Sequence, residues 1–147
     1  PEVQQRKIKL VLEITEQQEL SFSSSKQHLA SLKAAGLLLS IDDFGTGYSN
    51  LAGLRSLNAD YLKIDKSFIQ DMEADSIKST LLPKIRDIAR LLNYRIVAEG
   101  IENLAQASLL RSLGIELGQG WHFARAMPLT EFADYLRQFS CQQRRSS

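Results

Sequence analysis

The sequence predicts an α/β fold: a parallel sheet covered by helices, built as a partial TIM-type (β/α) barrel of about five βα units with its N-terminal strands missing. Three observations carry this expectation. Short apolar runs alternate with amphipathic stretches, the pattern of βα units around a parallel sheet. The runs end in acids or a lysine. A barrel gathers the C-terminal ends of its strands around one mouth, whereas an open doubly wound sheet strings them along a crevice. Finally, 147 residues fall well short of the roughly 250 a closed barrel takes, so about three strands are expected outside this stretch.

The first run, Lys9-Leu10-Val11-Leu12-Glu13-Ile14-Thr15, is aliphatic and short enough for a buried strand. Residues 23–35 place Leu29, Leu32 and alanines at helical spacing, and Gly36 suits the C-cap. The second run, 37–41, leads into Asp42-Asp43-Phe44-Gly45-Thr46-Gly47, followed by a short helix over 49–57. Tyr61-Leu62-Lys63-Ile64-Asp65 is the third run. A helix over 79–92 sets Ile85, Ile88, Ala89 and Leu92 on one face. Arg95-Ile96-Val97-Ala98 is the fourth run, ending at Glu99-Gly100. A helix over 104–113 stops at Gly114, a weaker fifth run spans 115–123, a final helix covers 129–139, and 142–147 reads as a frayed tail.

Composition narrows the class. Hydrophobic residues make up 44% and charged residues 24%, which is globular rather than disordered. Eighteen basic and 17 acidic residues leave a net charge of +1, giving no electrostatic case for a nucleic-acid duplex or a membrane surface. The apolar stretches are too short to span a bilayer, and no signal segment opens the chain. Cys141 is the only cysteine, excluding an internal disulfide framework and a thiolate metal cluster. A soluble, cytoplasmic protein is expected. The initial Pro1 suggests a piece of a longer chain, whose upstream segments could anchor it to a membrane.

The chemistry is carried by the strand ends. In a barrel, Glu13, Asp42, Asp43 and Glu99 would converge. Carboxylates crowded together repel, and a bound divalent cation relieves that repulsion. All-oxygen ligands select hard cations such as Mg²⁺, Mn²⁺ or Ca²⁺. An adjacent acid pair suits two ions, one carboxylate bridging, and two such ions can clamp the attacking and leaving oxygens of a phosphoryl displacement. Lys63 would add positive charge where negative charge develops. Taken singly, each feature has a plainer explanation. Asp42-Asp43 could be a turn, Lys63 and Asp65 at i and i+2 an ion pair, and Glu99 a cap on the next helix. His28 reads as solvated, His122 as packing or surface, and Arg144-Arg145 as a solvated tail. It is the regular placement at successive strand ends that favours a site.

The same residues resemble a known family. Asp42-Asp43-Phe44-Gly45-Thr46-Gly47-Tyr48-Ser49-Asn50-Leu51 resembles the DDFGTGYSSL signature of EAL domains, differing at Asn50. Glu13-Ile14-Thr15-Glu16 resembles their ExTE motif, Lys63-Ile64-Asp65 the KxD motif, Ala98-Glu99-Gly100-Ile101-Glu102 the AEGVE motif with isoleucine for valine, and Gln119-Gly120-Trp121 the QGY motif with tryptophan for tyrosine. All five stand in the family's order.

The resemblance implies a modified TIM barrel that hydrolyses cyclic di-GMP to the linear dinucleotide pGpG with Mg²⁺ or Mn²⁺, Ca²⁺ being inhibitory. On this basis residues 1–141 are the C-terminal part of one EAL domain. Glu13, Asp42, Asp43 and Glu99 would be metal ligands, and Lys63 and Glu99 catalytic. Asp65, Glu102 and Gln119 would support the site or contact substrate. Glu16 and Thr46 would stabilise the loop 44–51, which the family uses at its dimer interface. A homodimer and upstream sensory or GGDEF domains are implied. The Glu-Ala-Leu triplet occurs nowhere in this sequence, and with it an arginine and an asparagine of the family's site are absent. The stretch alone is therefore expected to be inactive and prone to self-association, the rival expectation being an EAL-like module that binds or relays without cutting.

Overall fold

The computed structural model of the chain describes residues 9–15, 26–45, 51–70 and 77–145. Five strands, β1 (Val11–Thr15), β2 (Leu38–Phe44), β3 (Tyr61–Ile64), β4 (Arg95–Ala98) and β5 (Leu117–Gly118), form one sheet in which each pairs in parallel with the strand before it. The order never reverses. A doubly wound sheet changes direction at a switch point, whereas a barrel winds one way throughout. The sheet is thus the expected arc of a TIM-type barrel. Among the described residues the helices are α1 (Lys26–Ala34), α2 (Leu51–Leu57), α3 (Lys66–Gln70), α4 (Ile77–Leu91), α5 (Leu104–Ser112) and α6 (Leu129–Arg145).

The two faces of the sheet differ in chemistry. Register partners on parallel strands share a face, and Ile14, Ile41, Leu62 and Ile96 are successive partners. All four are buried, in one core with Leu29 of α1, Leu54 of α2, Leu82, Ile85 and Ala89 of α4, and Leu110 of α5. Each large aliphatic side chain so buried contributes about 1.5–3 kcal/mol. The opposite face carries the row Glu13, Ser40, Tyr61 and Arg95, with Lys63 beside Val97 one step on. This polar face is the inside of the arc. Asp60 fixes the start of β3 against β2: its carboxylate accepts the Leu39 N–H at 2.8 Å and pairs with Lys33 at 3.2 Å. Among the described residues β1 is an edge strand; Val11 and Leu12 lie exposed on it, and Leu10 lies exposed just before it.

Three expectations are corrected. The fifth run forms only a two-residue strand, because Gly118 and Gly120 interrupt it and residues 121–123 turn. The short helix α3 had no sequence counterpart; Asp65 starts it by accepting the Ser67 N–H at 2.9 Å. The last helix continues past residue 139 to Arg145, so residues 142–145 are helical rather than a frayed tail. Gln142, Gln143, Arg144 and Arg145 are competent helix formers, with no glycine or proline among them to stop the helix.

Candidate functional site

Lys63 occupies the centre of the polar face. Its Nζ lies 2.8 Å from Glu13 Oε1, 3.0 Å from Asp42 Oδ1 and 2.7 Å from Glu99 Oε1, so carboxylates from or beside β1, β2 and β4 surround one ammonium. Its side chain is only 9% exposed. Burial is the largest single influence on its pKa and favours the neutral form. The carboxylates of Glu13, Glu99 and Asp42, in direct contact with the ammonium, outweigh it, and the pKa stands well above the ordinary lysine value. The ammonium therefore keeps its charge throughout the neutral range.

Asp43 joins the group through a departure from strand geometry. Successive residues of a regular strand point to opposite faces, so Asp42 and Asp43 would not meet at one site. The pairing of β2 with β3 shifts register between Ile41 and Phe44, and Asp43 adopts φ 55°. A bulge of this kind re-aims a side chain, and aspartate tolerates the left-handed conformation better than most residues. As a result, ligand oxygens of Asp42, Asp43 and Glu99 all lie within 4.8 Å of one another. Asp42 Oδ1 is buried and, although in ion-pair contact with Lys63, makes no well-directed hydrogen bond. Three convergent carboxylates fit a hard divalent cation.

The site opens onto a cleft of about 480 Å³ whose lining includes Lys66, Glu99, Glu102, Gln119 and Trp121. Gln119 is placed by the strand ladder: its N–H donates to Ala98 O at 2.8 Å, and its carbonyl accepts the Ile101 N–H at 3.1 Å. Gly120 permits this approach, since a Cβ there would collide with the Ile101 backbone. Gln106, buried on α5, accepts the Glu102 N–H at 2.8 Å and so ties down the loop after β4. Trp121 is well exposed, and the Arg125 guanidinium stands 4.5 Å over its ring.

The structure brings Glu13, Asp42, Asp43, Lys63 and Glu99 together, and it places Glu102 and Gln119 in the adjoining cleft. Asp65 stands apart from this arrangement. Lys63 pairs with carboxylates on three other segments rather than with Asp65, whose carboxylate caps α3. Burial raises the Asp65 pKa, but hydrogen bonds from Ser67 and Lys66 lower it further, below the ordinary carboxylate value. Glu99 does not cap α5; Asn103 does, accepting the Gln106 N–H at 2.9 Å. His122 packs edge-on against Phe123, and His28 is exposed. Glu16 and Thr46 lie outside the described residues. Sequence reasoning missed Lys66, Arg125 and Gln106, and it noted Trp121 only as the tryptophan that replaces tyrosine after Gln119-Gly120.

Comparison with known proteins decides the family: the EAL domain model matches residues 3–126. The chain belongs to the EAL domain family. It is 40% identical over 128 residues to the probable cyclic di-GMP phosphodiesterase PdeN of Escherichia coli K12, covering 87% of this chain and 25% of PdeN. The structure of the PaMucR phosphodiesterase in complex with c-di-GMP superposes with a TM-score of 0.79 at 39% identity, covering 88% of this chain and 54% of the other. The manganese/cy-diGMP complex of Klebsiella pneumoniae BlrP1 matches with a TM-score of 0.71 at 34% identity, covering 78% and 30%. This EAL chain thus spans about a quarter of its curated relative and about half of the PaMucR chain. Among the described residues no helix is long and apolar enough to cross a membrane.

Proposed function

We propose that this EAL chain supplies the C-terminal strands, residues 1–141, of a domain that hydrolyses cyclic di-GMP to linear pGpG. The observation that carries the reading is the Lys63 ammonium held by Glu13, Asp42 and Glu99 beside Asp43. Glu13, Asp42, Asp43 and Glu99 would hold Mg²⁺ or Mn²⁺, and Ca²⁺ competing for the same oxygens would inhibit. Such ions, when bound, supply Lewis-acid polarisation and a more acidic water.

The chain's own residues do the rest. Glu99 accepts the proton of the attacking water as its oxygen bonds to phosphorus; the P–O3′ bond breaks and O3′ takes up a proton from solvent, leaving a 5′-phosphate and a 3′-hydroxyl. Lys63 presents a fixed positive charge to the phosphoryl oxygens as negative charge accumulates there. Its counter-charges hold it in place beforehand, so little reorganisation is needed. Glu102 and Gln119 orient the substrate from the cleft wall, and Asp65 secures the turn that follows β3. Glu16 and Thr46 would brace the loop 44–51, through which the domain would form a homodimer. Sensory or GGDEF domains would accompany it in the cytoplasm.

The test joins residues 1–147 to the preceding half of a related EAL domain and follows pGpG formation with Mg²⁺, Mn²⁺ and Ca²⁺. Turnover with the first two and inhibition by the third is expected, together with no turnover by residues 1–147 alone. A chimera that binds cyclic di-GMP tightly without cleaving it would instead assign the chain to binding or relay.

A further inference from the structure

Gln106 is one of three polar or charged side chains buried among the described residues, at 6% exposure. Lys63, at the centre of the carboxylates, is another. An amide left unpaired in an interior is costly, and both ends of the Gln106 carboxamide are used. Oε1 accepts the Glu102 N–H at 2.8 Å, and Nε2 donates to Ile69 O at 3.4 Å, the longer of the two bonds. The partners fix which end is which, because one is a donor and the other an acceptor.

Helix capping accounts for part of this arrangement. Asn103 is the N-cap of α5, and Gln106, at the third helical position, donates its own N–H to Asn103 Oδ1 at 2.9 Å. In a capping box the side chain at that position reaches back to the N-cap N–H, and glutamate serves as well as glutamine. Gln106 departs from the box twice. It reaches one residue further back, to Glu102, and its amide N–H leaves α5 for the carbonyl of another helix. Ile69 lies near the end of α3, where carbonyls lack partners within the helix. Ionised glutamate would make the first bond and not the second.

The two segments so joined are facing walls of the cleft. α3 contributes Lys66 and Gln70, and the loop after β4 contributes Glu99, Gly100 and Glu102. They already approach closely: Gly100 has φ 69°, and a Cβ there would collide with Lys66 Cβ. α3 reaches the other acids as well. Asp65, two residues after Lys63, starts it, and the Phe68 ring occupies the space a Cβ on Gly45 would need, two residues after Asp43. One short helix thus touches the chain just beyond Asp43 and just beyond Glu99, and Gln106 fastens its end.

We propose, resting on the reading of Asp42, Asp43 and Glu99 as metal ligands, that Gln106 is a positioning residue for that site: by joining α3 to the Glu99–Glu102 loop it fixes Glu99 against the two aspartates. The test measures Mn²⁺ binding to the full chain by the loss of the free-ion EPR signal, at mildly alkaline pH so that a carboxyl introduced at position 106 is ionised. Gln106→Glu keeps the bond to Glu102 and loses the one to Ile69. Gln106→Met, of similar length, loses both. Tyr94→Phe controls for general destabilisation, since it removes a buried hydroxyl that donates to Leu54 O at the other end of the sheet. Both Gln106 variants should bind Mn²⁺ about tenfold more weakly, with Tyr94→Phe unchanged. An added negative charge alone would tighten cation binding, so weaker binding by Gln106→Glu reports the lost bond. Binding by Gln106→Glu equal to that of the unmodified chain overturns the proposal and leaves Gln106 as a helix cap. Equal weakening in Tyr94→Phe overturns it too. Should Gln106→Glu fail to fold, Gln106→Met against Tyr94→Phe decides on the same criterion. An unmodified chain that takes up no Mn²⁺ is a different failure: it removes the metal reading itself, and the role of Gln106 with it.

Discussion

The two ends of this sheet carry charge in opposite ways. At the C-terminal ends, side chains from β1, β2, β3 and the residue after β4 turn onto one face and meet: three carboxylates touch one lysine. At the N-terminal ends, Arg86 and Arg90 come from a helix and Arg95 from a strand. They line a pocket, and among the described residues Arg86 is the one of the three in an ion pair. Charged residues at strand ends do not by themselves make a catalytic centre. The centre arises where inward-facing positions on successive strands converge and the backbone supplies one further, irregular carboxylate.

Asp43→Asn tests that contrast most severely. In the chimera it keeps the shape and removes a charge from the triad with Asp42 and Glu99, so kcat should fall about 10³-fold, near 4 kcal/mol, with cyclic di-GMP affinity much less changed. Near-normal turnover would remove Asp43 from the metal shell.

Lys63→Met comes next. Without divalent cations it leaves three carboxylates facing one another. Removing one partner of a buried pair costs about 3–5 kcal/mol; because Glu13 is 51% exposed and can hydrate, we expect the low end, about 3 kcal/mol, measured by urea denaturation in EDTA. Added Mg²⁺ should restore part of it. Equal stability of the two proteins in EDTA would mean the cluster is not electrostatically coupled.

Asp65→Ala removes a helix cap and should cost about 1 kcal/mol at neutral pH. Because the folded pKa of Asp65 is depressed, its contribution is fully present above the unfolded value of 3.8 and is lost as pH falls through the folded value. The gap between the two proteins should therefore close below about pH 4; a gap that persists in acid would point to packing instead.

Arg86→Met should cost least, about 0.5 kcal/mol, since its partners are a partly exposed carbonyl and the exposed Asp87. A loss matching that of Lys63→Met would erase the distinction between the two ends.

Much of this was legible in the sequence because the signals were local. Runs such as Ile96-Val97-Ala98 specify strands, and acids at their ends specify where reactive groups gather. What escaped depended on backbone states that residue types do not announce. The αL conformation at Asp43 brings the second carboxylate to the first, yet aspartate is compatible with an ordinary turn as well. Glu99 was the cap the sequence suggested for the helix after β4, and the loop path placed Asn103 there instead. Gln106 looks like any helix-surface glutamine until the turn after β4 folds back over it. The two-residue β5 was overestimated because Trp121 and Phe123 favour strands while Gly118 and Gly120 break them.

The irregularity of β2 bears on how this segment tolerates changes of length. Substitutions at positions 42–45 alter one side chain at a time, but a single-residue deletion there would restore a regular pleat and send one carboxylate to the helix-covered side. An insertion would push Gly45 away from Phe68, whose ring leaves no room for a Cβ at that glycine. Related chains should therefore keep the residue count around this turn, and a gap at these four positions would mark a relative in which the acid pair no longer acts as a pair.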